Sequence, residues 1–173
     1  CLGRNKIGYS KFAQKNAPRF EIFGGSLTIS GDLSLSDDRG ANSVLLIRGG
    51  TVKANNAYTE RCSGNPDTEV SMEVSGTGRV TVGNFYNGAK SAGDILHLCI
   101  TNGGCVNANS LYNNAGTFDI FVDGGTIAGG ASGGNLLGKS LTRVAVGTRG
   151  ATFAVATGGK TLGEQVVERL KGE

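Results

Sequence analysis

Tryptophan is absent from this 173-residue chain, and proline, histidine and methionine number only two, one and one. Each shortage excludes something. Proline cannot donate to a strand ladder, so a chain whose only prolines are Pro18 and Pro66 can pair along most of its length. The lone histidine, His97, has no Ser/His/Asp set suggested around it and reads first as a solvated side chain. No apolar run approaches the ~20 residues of a membrane-spanning helix. A net charge of +3 is a weak attraction for a polyanion. Residues 1–19 hold Arg4, Lys6, Lys11, Lys15 and Arg19 with no acid. Only Tyr9 and Phe12 lie among them, short of the interleaved aromatics and bases of a nucleic-acid module, so no nucleic-acid partner is expected.

Cofactor signatures are missing too. Cys1, Cys62, Cys99 and Cys105 fit no C-x2-C zinc spacing. The glycine pairs lack the aspartate of calcium-binding nonapeptide repeats. Gly129-Gly-Ala-Ser-Gly-Gly134 has neither the lysine nor the helix of a phosphate loop. No metal and no cofactor is expected.

What the chain does have is thirty glycines and fourteen asparagines, arranged with a period. Taking Gly25, Gly50, Gly78, Gly104, Gly125 and Gly150 as reference points, the spacings are 25, 28, 26, 21 and 25 residues. Each glycine sits between two runs of alternating polarity. In the fifth unit Phe118, Ile120 and Val122 alternate with Asp119, Phe121 and Asp123 before Gly124-Gly125 turns the chain. Alternation of period two describes a strand buried on one face, and glycine supplies the sharp corner. One such unit cannot bury its apolar face alone, but units laid one on another make a continuous core. The expected fold is therefore all-β: a parallel β-helix of about six coils. Gly25, Gly50, Gly104 and Gly125 should share one corner, and Val52, Val80, Val106 and Ile127 one inward column.

A second register supports stacking. Six residues beyond Val52, Val80 and Val106 stand Tyr58, Tyr86 and Tyr112; four beyond stand Asn56, Asn84 and Ser110. Columns of like residues favour ring stacking and amide hydrogen bonds between coils. The Tyr58, Tyr86, Tyr112 column with Asn56 and Asn84 is also the candidate ligand-contact surface if it faces solvent; otherwise the rings pack in the turn. By count the column ends at Gly133.

Three regions follow: an N-terminal cap or arm over residues 1–19, the solenoid over 20–160, and a C-terminal capping helix over 161–173. The helix is expected from the Thr161-Leu-Gly-Glu164 capping box and the stripe Leu162, Val166, Val167, Leu170. Cys99 and Cys105 should both point outward beside the 100–104 turn, and a disulfide between them is expected. Cys62 bonding to a neighbouring loop, or free thiols, is the alternative. An even cysteine count favours an oxidising compartment.

Catalytic groups are sparse. Asp37-Asp38 falls in a loop, while Glu69 with Glu73, and Asp119 with Asp123, occupy outward positions that read first as solvated faces. Paired carboxylates can cleave a glycosidic bond, which keeps an enzyme as the alternative. An ice-binding threonine face is interrupted: the column before the inward residues reads Ser26, Thr51, Arg79, Cys105, Thr126, Thr152.

Val122-Asp-Gly-Gly-Thr-Ile127 and Val146-Gly-Thr-Arg-Gly-Ala-Thr-Phe153, with the short Asn/Gly coils between units, resemble the passenger repeats of bacterial autotransporters and related surface solenoids across about residues 20–158. That resemblance implies a right-handed parallel β-helix that is extracellular or displayed on a bacterial cell surface. The expected function is non-enzymatic, structural or adhesive. Its partners would be like subunits meeting at the coil ends to build a fibre, or a host or matrix surface glycan or protein. The alternative is a polysaccharide-processing enzyme or carbohydrate-binding module of the pectin-lyase-like β-helix class.

Overall fold

The structure, a computed structural model, describes residues 4–6, 19–36, 42–59, 67–88, 92–129, 134–138, 140–155 and 160–161. Every regular element among them is a strand. β1 (Arg4–Lys6) precedes the first repeat unit, which supplies β2 (Arg19–Ile22), β3 (Ser26–Thr28) and β4 (Asp32–Ser34). The second supplies β5 (Ser43–Ile47), β6 (Thr51–Lys53) and β7 (Asn56–Thr59). The third holds β8 (Glu69–Ser75) and β9 (Arg79–Asn87), the fourth β10 (Ile95–Thr101) and β11 (Cys105–Asn113). The fifth holds β12 (Thr117–Asp123), β13 (Gly125–Gly129) and β14 (Gly134–Asn135), the sixth β15 (Arg143–Val146), β16 (Ala151–Val155) and β17 (Lys160–Thr161).

Each strand pairs in parallel with its counterpart one repeat away. One face is the sheet β15-β12-β10-β8-β5-β2. The other sheet runs β1-β4-β7-β9-β11-β13-β16, with β3 and β6 leading separately into β9. It bends into two faces. Burial alternates along β9 and β11 but slips at Gly83-Asn84 and at Asn109-Ser110, where two half-buried residues follow one another. In the first two units the same corner interrupts the strand outright, between β3 and β4 and between β6 and β7. The solenoid so formed makes about four turns. That is fewer than the six coils the repeat count implied.

The core is a set of inward columns. Val52, Val80, Val106 and Ile127 pair in register and are each at most 1% exposed, as expected. On the first face Val70, Leu96 and Phe118 form one column, Leu45, Met72, Leu98 and Ile120 the next, and Ile47, Val74, Ile100 and Val122 the third. All of them are buried. Each such side chain contributes roughly 1.5–3 kcal/mol relative to exposure.

The glycine corner explains the close stacking. A Cβ on Gly78, Gly104 or Gly125 would come within 3.0 Å of backbone atoms in the coil beneath, at Ile47, Val74 and Ile100 respectively. Successive glycines lie in one register, since the Gly25, Gly50, Gly78 and Gly104 carbonyls each accept from the residue after the next unit's glycine. The sixth unit departs from the expected register: Ala151, not Gly150, sits over Gly125. Gly150 instead accepts from the Gly124 amide and takes a positive φ of 74°. One column residue also differs from simple alternation: Leu46 is on the outward side of the first face yet only 5% exposed.

Of the expected ends, most of the 1–19 cap and residues 162–173 lie outside the described residues. Thr161, the expected helix cap, closes β17, which pairs with β14.

Candidate functional site

The third face carries the predicted columns. Tyr58, Tyr86 and Tyr112 pair in register. Their rings stack at centroid distances of 5.2 and 4.9 Å with interplanar angles of 10° and 4°. Both faces of the Tyr86 ring are thus occupied by its neighbours, and Tyr58 is 7% exposed. The column presents ring edges outward, which suits cohesion between coils better than stacking on a sugar. It ends at Gly138 rather than Gly133. Leu111 bridges to Leu137, which puts Gly138 over Tyr112, and a Cβ there would stand 2.9 Å from the tyrosine Cβ. The count from Ile127 failed because the fifth unit reaches this face at residues 136–138, several residues later than the others do. Burial raises the Tyr112 phenol above its ordinary pKa.

The asparagines beside the rings form a ladder. Asn84 donates from its side chain and main chain to Asn56 Oδ1, at 3.2 and 3.0 Å, and Asn56 donates to Asp32 Oδ1 at 2.9 Å. A third column went unread in the sequence. Thr59, Asn87 and Asn113 follow the three tyrosines directly and pair in register. Buried Thr59 donates to Asn87 Oδ1 at 2.5 Å, and Asn87 Nδ2 donates to the Ala115 and Thr117 carbonyls at 3.1 and 3.0 Å. The signal was present, one step beyond each tyrosine.

The outward side of the first face is chemically different. One column reads Arg19, Val44, Ser71, His97, Asp119, Arg143. The next reads Glu21, Leu46, Glu73, Cys99, Phe121, Ala145. His97 lies between two acids, with Nε2 3.6 Å from Glu69 Oε1 and Nδ1 3.9 Å from Asp119 Oδ2. Beside it a shallow cavity of about 260 Å³ is lined by His97, Cys99, Asp119, Ile120, Phe121, Arg143 and Ala145. Phe121 is 40% exposed within it. The expected outward placement of Glu69, Glu73, Asp119 and Asp123 holds, and register rather than sequence distance brings Glu69, His97, Asp119 and Arg143 into one patch. Asp37 and Asp38 lie outside the described residues.

Asp123 is not merely solvated. Arg149 Nε and Nη2 donate to its Oδ2 at 2.9 and 2.6 Å, and the Arg149 amide donates to Oδ1 at 2.7 Å. These bonds hold the Asp123 carboxyl below its ordinary pKa. Arg149 also donates to Asn102 Oδ1, so one guanidinium ties the corners of units four, five and six.

The expected Cys99–Cys105 disulfide is corrected: both are free. The intervening corner sends them to different sheets, Cys99 beside Glu73 and Phe121, Cys105 between Arg79 and Thr126. Burial, then the Glu73 carboxylate, raises the Cys99 thiol above its ordinary pKa, which makes it a poor nucleophile. Cys1 and Cys62 lie outside the described residues. The broken threonine column is confirmed as one register, with Arg79 in it donating to the Gly78 and Gly103 carbonyls at 2.9 Å each.

Among the described residues no group of three or more His, Cys, Asp or Glu is placed to hold a metal ion. Nor is any helix there long and apolar enough to cross a membrane. Comparison with protein-family models, curated proteins and solved structures gives no match. The class that the fold itself defines is a parallel β-solenoid of repeated units.

Proposed function

We propose that this chain is a non-enzymatic structural or adhesive β-solenoid, extracellular or displayed on a bacterial cell surface, in which all six units count as right-handed coils. The hand follows the preference of parallel crossover connections. The observation that carries the reading is the use of polar side chains as coil-to-coil ties. Asp32, Asn56 and Asn84 on one column and Thr59 and Asn87 on another bond up and down the stack. Arg149 does the same at the corner. Such a molecule is a rigid spacer with a repeating surface. The resemblance to autotransporter passengers supports the location.

The test is incubation with a panel of acidic and neutral polysaccharides. No new reducing ends or unsaturated products are expected. Turnover lost in Glu69→Gln or Glu73→Gln would overturn the reading in favour of an enzyme.

A carbohydrate-binding module is the second reading, favoured by one observation. Phe121 is an exposed ring on the first face, with Asp119, His97 and Arg143 in the adjoining column. An apolar platform flanked by hydrogen-bonding groups suits a pyranose. Glycan binding abolished by Phe121→Ser, with thermal stability retained, would support it.

A further inference from the structure

The two ends of the stack are unlike its middle. Among the described residues β2 pairs only with β5, and β3 only with β6, so within that set both have one open edge at the N-terminal end. At the other end, again among the described residues, β15 pairs only with β12, and β16 only with β13. A free strand edge offers unpaired N–H and C=O groups to a further parallel strand. Apolar side chains accompany both edges. Phe20 and Phe23 are 47% and 71% exposed, Val146 and Val155 36% and 39%.

Gly24 gives the edge a direction. Its counterpart in the next unit is Gly49, where a Cβ would collide with the Phe23 carbonyl beneath. Glycine is therefore required at Gly49 by the coil under it. Gly24 has nothing within 4 Å among the described residues and no positive φ, yet it is also glycine. The close approach that explains Gly49 has no counterpart under Gly24 within these strands. A layer beneath unit one would supply it.

Part of that layer exists. β1 lies under β4, with Asn5 opposite Leu33, and fills the third-face position. The first- and second-face positions, under β2 and β3, are open among the described residues. We propose that they are filled by β15 and β16 of a second copy, in a head-to-tail stack. The columns support this occupant. Val144 and Val146 belong to the same inward columns as Phe20 and Ile22. Phe153 shares the column of Leu27, and Val155 extends the column of Val82 and Ala108. Apolar side chains thus meet apolar ones in these four inward columns at the joint, while the column of Val70, Leu96 and Phe118 ends on Thr142. One outward position is mismatched: Arg143 would face Arg19, which is already paired with Glu21. A head-to-tail contact of this kind does not close on itself and builds a filament.

This inference deepens the structural reading by naming its partner, and it fails separately from that reading. Sedimentation of the full chain over a range of concentrations should show mass growing beyond the monomer. Gly24→Val adds a side chain where nothing in the described chain meets it, so it should leave the melting temperature of dilute protein unchanged and hold the mass at monomer. Arg143→Glu should shift assembly to concentrations several-fold lower by facing Arg19 with an acid. Wild-type protein that stays monomeric, or assembly indifferent to Gly24→Val, would overturn the proposal. So would a lowered melting temperature in Gly24→Val, because the chain's own residues would then occupy the layer. A monomer that also turns over no polysaccharide leaves the structural or adhesive function standing.

Discussion

The first and third faces share one backbone spacing and use it differently. On the third face the same kind of residue recurs from unit to unit: Tyr58, Tyr86, Tyr112 in one column, Asn56 and Asn84 in another. On the outward side of the first face the residue changes at every step, from Arg19 through Val44, Ser71, His97 and Asp119 to Arg143. At ~4.8 Å between strands, like aromatics stack and like amides bond in series, so a repeating column makes cohesion. A mixed column cannot do this, and its side chains remain available to solvent and to partners. Recognition should therefore lie on the first face and stability on the third, with the glycine corner setting the spacing for both.

The corner should show the largest effect. Gly104→Ala pushes a Cβ into the backbone of Val74 and Ser75, where no side chain can move aside. A loss of about 3 kcal/mol or more is expected from urea unfolding. A loss below 1 kcal/mol would mean that the coils can separate, and that the corner does not set the spacing.

Next is the buried third-face amide. Asn87→Ala removes the partner of Thr59 and leaves the carbonyls of Ala115 and Thr117 without their side-chain donor. About 2–3 kcal/mol should be lost. Asn87→Asp, which keeps the shape but removes the donor, should also destabilise.

The direct comparison of faces is Tyr86→Ala against Phe121→Ala. The first breaks two ring stacks and should cost roughly 2 kcal/mol. The second removes an exposed ring and should stay within about 0.5 kcal/mol. Equal losses in thermal unfolding would erase the distinction between the faces.

A smaller effect is expected at Asp123, and it depends on pH. Its pKa is lowered by the hydrogen bonds from Arg149. A depressed carboxyl stabilises the fold above the ordinary value of ~3.9 and loses that contribution as pH falls through the lowered one. Asp123→Asn should therefore lower the melting temperature slightly at neutral pH, with the gap to wild type closing in strong acid. A gap that widened in acid would refute the assignment.

The smallest effect should be at the thiols. Cys105→Ser is expected to change stability by less than about 0.5 kcal/mol, and alkylation without reductant should label both Cys99 and Cys105. A Cys99–Cys105 bridge in peptide mass spectrometry would contradict the free thiols, and would draw the two sheets together at the corner.

Much of the fold was legible because stacking leaves its mark at a fixed offset. The period near 25 residues and the Val52, Val80, Val106 and Ile127 column could be read by counting. Counting failed where a unit changes length. The sixth glycine slipped by one, to Ala151 over Gly125, and the tyrosine column closed on Gly138. Register after an insertion is decided by which strands bond, and local sequence does not encode that choice.

The candidate site was less legible. That Glu69, His97, Asp119 and Asp123 point outward follows from alternation, which is a property of the strand alone. That His97 stands between Glu69 and Asp119, or that Arg149 clamps Asp123 and Asn102, depends on side chains one or two coils apart. The separation of Cys99 from Cys105 is of the same kind, because a turn short in sequence is here a corner between two sheets. The sequence by itself determined that this chain is a stack of β-coils turned at glycine, since period and alternation are carried by each residue in its place. Only the tertiary structure decided which residues meet across coils, because those contacts are fixed by the hydrogen-bonded register and by how closely one backbone can approach the next.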